Sequence, residues 1–244
     1  MKIKNLNVKK GDKHILKDFN VSFEENKIHI LMGQNGCGKS TLVNAIAGHP
    51  DCEILSGEVI FNQDNLLNFE VHERALKGIY LSPQYPPVIE GLSHATLLKE
   101  SLNAKLSFNS QEAVDSFQFL KTLRKSAEKF SFDSKNYPKQ SFNSGFSGGE
   151  KKRNEVLQID LLQPKFVFMD EIDSGLDIEA MRTIAEFIKN YKKSGHTLVV
   201  ITHYPNFAEL IEADYFHVMK EGKISQTGGK EILQQVIANG FKEF

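Results

Sequence analysis

Nine consecutive residues constrain this chain more than any others: Gly33-Gln34-Asn35-Gly36-Cys37-Gly38-Lys39-Ser40-Thr41. They fit the pattern GxxxxGK[ST]. The apolar run Ile28–Met32 precedes them, and the helical pattern Thr41–Ala47, which stops at Gly48 with Pro50 behind it, follows. A strand, a Gly-rich loop and a helix in that order form a cradle for phosphate. The glycines let backbone N–H groups turn inward, and the helix N-terminus adds a field that favours anions. Lys39 is then placed to reach β- and γ-phosphates, and Ser40 to ligate Mg2+. A plain Gly-rich turn has no need of Lys-Ser after its last glycine.

A second run, Phe166-Val167-Phe168-Met169, ends directly in Asp170-Glu171. Short apolar runs that end in polar motifs are the pattern of buried parallel strands whose C-terminal ends carry a site. Asp170 is placed to hold the Mg2+ shell, and Glu171 to act as general base toward an attacking water. Two acids after an apolar run are ordinary by themselves; paired with the phosphate loop they are specific. The sequence predicts further strands at Ile3–Val8, Phe19–Phe23, Val59–Phe61, Ile79–Leu81, Leu198–Ile201 and Phe216–Met219. It predicts a helix over Asp177–Lys193, opening on an acid and closing in Lys192-Lys193 before Gly195.

Between Pro83 and about Glu155 the character changes. Ala95–Leu106 and Glu112–Phe130 read as amphipathic helices, no β pattern is evident, and Phe132–Ser144 reads as a loop. The expected fold is α/β, a P-loop NTPase core with a mixed sheet and an inserted helical subdomain. The core takes about 1–82 and 156–244, the subdomain about 83–155, in one domain of 244 residues.

With 30 Lys and Arg against 31 Asp and Glu, net charge is −1, and no basic excess points to nucleic acid. No apolar run approaches the roughly 18–20 residues that cross a bilayer, so no direct membrane insertion is expected. The N-terminus reads as a strand and not as a signal peptide, which places the chain as given in the cytoplasm. The alternative is the plastid stroma, if a transit peptide has been removed ahead of Met1. Cys37 and Cys52 match neither a disulfide framework nor a zinc spacing.

Further motifs resemble those of the ABC (ATP-binding cassette) ATPases, in the order and direction typical of that family. Phe146-Ser147-Gly148-Gly149-Glu150 resembles the LSGGQ signature. Gln84 follows a strand as the Q-loop glutamine does, Ser174-Gly175-Leu176-Asp177 resembles the D-loop, and His203 closes Val199–His203 as the H-loop histidine does. The resemblance implies an ATPase working as half of a transient, ATP-dependent homodimer. In it Ser147, Gly148 and Gly149 clasp a γ-phosphate, Asp177 lies on the loop that crosses to the partner, and His203 contacts the γ-phosphate. Gln84 joins Ser40 and Asp170 around Mg2+.

Within that family, Gly145–Glu155 (GFSGGEKKRNE), Met169–Ala180 (MDEIDSGLDIEA) and Val200–Asn206 (VITHYPN) look like the SufC ATPases of the SUF iron–sulfur cluster assembly system. Ser82–Pro87, Leu102–Lys105 and Glu221–Gly228 support the match, which runs essentially end to end. It implies soluble SufB- and SufD-like scaffolds as partners. The alternative is the ATP-binding subunit of an ABC membrane transporter, which is disfavoured by Glu150 and by Asp173–Asp177 in place of the usual importer residues. Val8–Leu16 contains no Tyr, Phe or Trp to stack on adenine, leaving base selection loose. Two local questions remain open in the sequence. Cys37 is either a tolerated small residue or a thiol activated by a helix N-terminus. Lys151-Lys152-Arg153 is either a solvated basic face or a set of ion-pair partners.

Overall fold

The computed structural model describes residues 1–241. The chain divides into two compact units, Met1–Gln84 with Lys165–Asp173 and Ala185–Phe244, and Tyr85–Pro164 with Ser174–Ile184.

The first unit holds two sheets. β1 (Lys2–Lys10), β2 (Lys13–Ser22), β4 (Cys52–Phe61) and β5 (Asp64–Asn65) form an antiparallel sheet in the order β2-β1-β4-β5. The larger sheet contains β3 (Ile28–Met32), β6 (Ile79–Ser82), β9 (Phe166–Asp170), β10 (Thr197–Ile201), β11 (Tyr215–Lys220) and β12 (Lys223–Gly228). Its order is β12-β11-β3-β10-β9-β6, parallel throughout except for the antiparallel edge strand β12. Every residue of β3, β9 and β10 is buried. That is why these strands read as unbroken apolar runs: both faces of a central parallel sheet are covered. Phe23, Phe166 and Phe168 pack edge-on between them, with Phe23 centroids 6.1 and 6.3 Å from the other two.

Helix α1 (Lys39–Ala47) begins and ends on glycine. Gly38 and Gly48 take φ of 111° and 86°, left-handed conformations that suit residues without a Cβ. The last carbonyls of α1 are not left bare. Arg74 of α2 (Val71–Leu76) donates Nη1 to Ala45 and Ile46 oxygens at 3.1 and 3.0 Å, which fixes the far end of the helix that opens at the phosphate loop.

The second unit contains α3 (His94–Phe108), α4 (Ser116–Lys129) and α5 (Gly148–Leu162). It also contains a two-stranded sheet that the sequence did not predict, β7 (Ile89–Ser93) against β8 (Ser141–Phe142). The stretch Phe132–Ser144 is thus not wholly a loop. Strands of five and two residues are too short to show alternation. Side chains hold them instead: the Asn143 N–H donates to His94 Nε2 at 3.3 Å, and Asn143 Nδ2 to the Pro87 oxygen at 2.7 Å. The sequence also missed β12 and the first half of β2, both in edge strands with mostly polar residues. Among the described residues no helix is long and apolar enough to cross a membrane.

Candidate active site

Four neighbouring parallel strands end side by side, and each end carries one of the predicted residues. Register pairs Ile201 with both Leu31 and Asp170, and Ser82 with Met169. β3 runs into Gly33, β9 ends at Asp170 before Glu171, β10 leads to His203, and β6 leads to Gln84. Ligands of open α/β sheets bind at such carboxyl ends.

The phosphate loop wraps the head of α1. Lys39 is only 6% exposed, its Nζ donating to the carbonyl oxygens of Gly33 at 2.8 Å and Gln34 at 3.1 Å. Gly36 and Gly38 are both left-handed, with φ of 79° and 111°. Gln34, Asn35 and Gly36 line the loop, Ser40 is half-buried, and Thr41 is buried. Cys37 is buried as well, with Lys39 Nζ 3.9 Å from its Sγ. Burial pushes the thiol above its ordinary pKa despite the nearby ammonium. Desolvation outweighs the opposing charge, which favours the reading of Cys37 as a tolerated small residue.

Glu171 stands in the left-handed region at φ 51°, an uncommon conformation for a residue with a Cβ. Its backbone N–H donates to the Ile201 oxygen at 3.0 Å. Its two carboxylate oxygens are shared between two predicted partners. Gln84 Nε2 donates to Oε2 at 2.6 Å, and His203 Nε2 lies 3.2 Å from Oε1. The structure thus brings Gln84, Glu171 and His203 into direct contact. Asp170, 3% exposed, precedes them on the strand end.

Sequence reasoning missed Asp173 and Thr202. Asp173 is 3% exposed, and its Oδ2 accepts a short hydrogen bond from the Thr202 hydroxyl. Burial raises its pKa above the usual carboxylate range. In the sequence it opens the Asp173–Asp177 run that marks the resemblance, but nothing there assigns it a place at the site.

In the second unit Phe146 leads into Ser147, the N-cap of α5, with Gly148 and Gly149 in the first turn. The Ser147 N–H donates to Glu150 Oε2 at 2.8 Å, and the Glu150 N–H donates to Ser147 Oγ at 3.3 Å. The Ser-x-x-Glu spacing of this reciprocal capping box is a helix-start signal that sequence reasoning missed. It holds the Glu150 carboxylate back on the helix end, and the Ser147 N–H draws its pKa down. A Cβ on Gly149 would stand 3.4 Å from the Gly175 oxygen, so the signature and D-loop predictions lie together. Asp177 Oδ1 accepts the Ala180 N–H at 2.7 Å and starts the next helix. Lys152 is 4% exposed, which excludes a simple solvated basic face over 151–153. Within Val8–Leu16 the one ring is His14, exposed and bonded through Nε2 to Asn7 Oδ1 at 3.1 Å.

A family model described as ABC transporter matches residues 16–174. The chain belongs to that family, and it is an ATP-binding protein and ATPase of the ABC type. Among its relatives is a probable ATP-dependent transporter of Synechocystis, 42% identical over 99% of this chain and 94% of that protein. Another is the probable ATP-dependent transporter SufC of Escherichia coli, 36% identical over 99% and 97%. Vegetative protein 296 of Bacillus subtilis is 39% identical over 98% and 90%. An ATP-binding cassette solved as a post-hydrolysis dimer with ADP and Pi superposes with a TM-score of 0.77 at 21% identity, covering 93% of this chain and 97% of that one. That likeness is one of fold.

Proposed function

We propose that this ATPase energises iron–sulfur cluster assembly on a soluble SufB/SufD-like scaffold, in the cytoplasm or an equivalent compartment, through ATP-driven dimerisation. The observation that carries the reading is the end-to-end similarity to a relative named SufC, at 36% identity over 99% of the chain. The geometry supplies the chemistry. Loop N–H groups and Lys39 bind the β- and γ-phosphates. Glu171 takes the proton of the attacking water, and His203 contacts the γ-phosphate.

Ser40, Gln84 and Asp170 offer only oxygen donors toward a cation. Among the described residues, no group of three or more His, Cys, Asp or Glu could hold a metal by itself. Such a donor set suits Mg2+, which keeps waters and nucleotide oxygens in its shell. Bound there, Mg2+ neutralises charge on the β- and γ-phosphates. Across a closed dimer, Ser147, Gly148 and Gly149 of one copy face the γ-phosphate held by the other, beside the partner's D-loop.

The scaffold has a surface to dock on. Tyr85 is 83% exposed, Val88 44% and Ile89 38%, whereas Leu98 is buried and Leu92, Leu97 and Leu102 are half-buried. Exposed apolar residues in a cluster mark interaction sites. The experiment is affinity capture of the tagged chain from detergent-free soluble extract and, separately, from solubilised membranes. Soluble SufB/SufD-like chains are expected, and Tyr85→Glu should release them while ATP binding persists. Capture of a multi-span membrane protein alone would overturn the reading in favour of a transporter subunit.

A further inference from the structure

The turn after β9 and the turn after β10 are tied together twice. One tie is the contact between Glu171 and His203. The other lies deeper. The Thr202 hydroxyl donates to Asp173 Oδ2 and accepts the Tyr204 N–H at 2.9 Å. The hydroxyl thus donates across to the Asp173 carboxylate and accepts from the backbone just beyond His203. Asp173 stands two residues beyond Glu171, and Thr202 directly before His203, so the same two short segments carry both ties.

Thr202 is fully buried, and the second oxygen of Asp173, Oδ1, is buried with no hydrogen-bond partner. A half-satisfied carboxylate in such a place costs stability. Its burial also lifts the carboxyl above the usual range. A merely structural contact at this point would be better served by an apolar pair of the same shape.

We propose that Asp173 is a positioning residue for the Glu171–His203 pair, acting through the Thr202 hydroxyl. The proposal rests on the reading of Glu171 and His203 as the groups that handle water and γ-phosphate. Asp173 touches neither; it fixes the turn from which His203 projects, and thereby the oxygen of Glu171 that His203 meets. The left-handed backbone of Glu171 makes such external support necessary, since strained conformations persist only where their surroundings over-determine them.

Steady-state ATP hydrolysis by the purified full chain tests this, with melting temperatures recorded for each variant. Asp173→Ala is expected to lower kcat about 10–100-fold, the scale of a small misplacement of reacting groups, with KM for ATP within about twofold. Thr202→Ala should fall as far, Thr202→Ser should restore most of the loss, and the double variant Asp173→Ala/Thr202→Ala should fall no further than either single one. Whichever of the two alanine variants folds suffices to decide. Wild-type kcat in a folded alanine variant, a loss confined to KM, or no rescue by serine overturns the proposal. Glu171→Gln is assayed alongside. If it hydrolyses ATP like wild type, the assignment of the pair has failed; if it is inactive while Asp173→Ala is not, only the positioning role has.

Discussion

A Cβ built on Gly33 would stand 2.2 Å from the carbonyl oxygen of Met219. The phosphate loop is therefore seated directly on β11, with φ of 152° at Gly33 and no room for any side chain. The contacting atom is backbone and cannot swing aside. Gly33→Ala should destabilise the protein by about 2–4 kcal/mol through clash and backbone strain together. In a chain of this size that is a fall of roughly 5–15 °C in melting temperature. ATP affinity should fall with it, because the loop must lift to relieve the contact. Scanning calorimetry and a nucleotide-binding assay check both, and a variant melting with wild type would show that the loop is not seated this way.

Glu171 and Lys39 should separate hydrolysis from binding. Glu171→Gln keeps a side chain that still meets Gln84 and His203 but cannot take a proton. Turnover should fall roughly 10²–10⁴-fold with ATP binding largely intact. Lys39→Ala removes an ammonium now held by two loop carbonyls and should weaken ATP binding itself. Phosphate release and equilibrium binding on the two variants make the comparison. Loss of binding in Glu171→Gln, or retained binding in Lys39→Ala, would contradict these roles.

The parts of this fold that were legible in the sequence share a physical cause. β3, β9 and β10 are covered on both faces, so their burial is written as apolar runs, and the motifs at their ends announce themselves by position. β7, β8 and β12 are short or at an edge and leave no such trace. The role of Asp173 was illegible because nothing local tells a buried acid from its acidic neighbours; only the return of the chain at Thr202 does. Cys37 shows the converse. The sequence leaves a thiol beside a helix N-terminus open between an activated group and a tolerated small residue, and the surrounding bulk favours the second.

The Ser147–Glu150 capping box predicts an acid-sensitive helix start. Glu150 has its pKa lowered by the Ser147 N–H, so the stability it contributes is present above its unfolded value and is lost as pH falls through the lower folded value. Glu150→Gln retains an acceptor for the Ser147 N–H and should melt within about 0.5 kcal/mol of wild type at pH 7, while losing this part of the pH dependence. Glu150→Ala should cost about 1 kcal/mol at pH 7, the usual worth of a cap. Melting both variants at pH 7 and pH 4 measures it. Equal pH dependence in wild type and Glu150→Gln would remove Glu150 as the cause.

The strongest pH dependence should come from a buried histidine pair that takes no part in the nucleotide site. His29 Nδ1 lies 3.0 Å from His217 Nε2, His29 Nε2 lies 3.0 Å from the Glu24 oxygen, and His217 Nδ1 lies 2.9 Å from Thr227 Oγ1. The Glu24 carbonyl can only accept, so His29 carries its proton on Nε2. His217 then donates from Nε2, and Thr227 donates to Nδ1, which leaves both rings neutral with every nitrogen used. Tyr215 stacks on His29, and Phe23 meets both rings edge-on. Desolvation dominates, pushing His29 down to about 4 and His217 to about 3, although Asp214 and Glu24 pull His29 upward. Both folded values lie below the ordinary 6.5, so the unfolded chain binds protons first. Stability is therefore complete above about pH 6.5 and declines as pH falls toward 4, at up to about 1.4 kcal/mol per pH unit for each ring. Urea unfolding of the wild type at pH 7, 6 and 5 should show a slope to which this pair contributes on the order of 2 kcal/mol per pH unit. Buried His94, also lowered to about 4, adds to it. His217→Gln retains an N–H for His29 Nδ1 and removes one titrating ring, so its slope should be shallower by about 1 kcal/mol per pH unit. An unchanged slope in His217→Gln would mean that the rings are not held neutral as a pair.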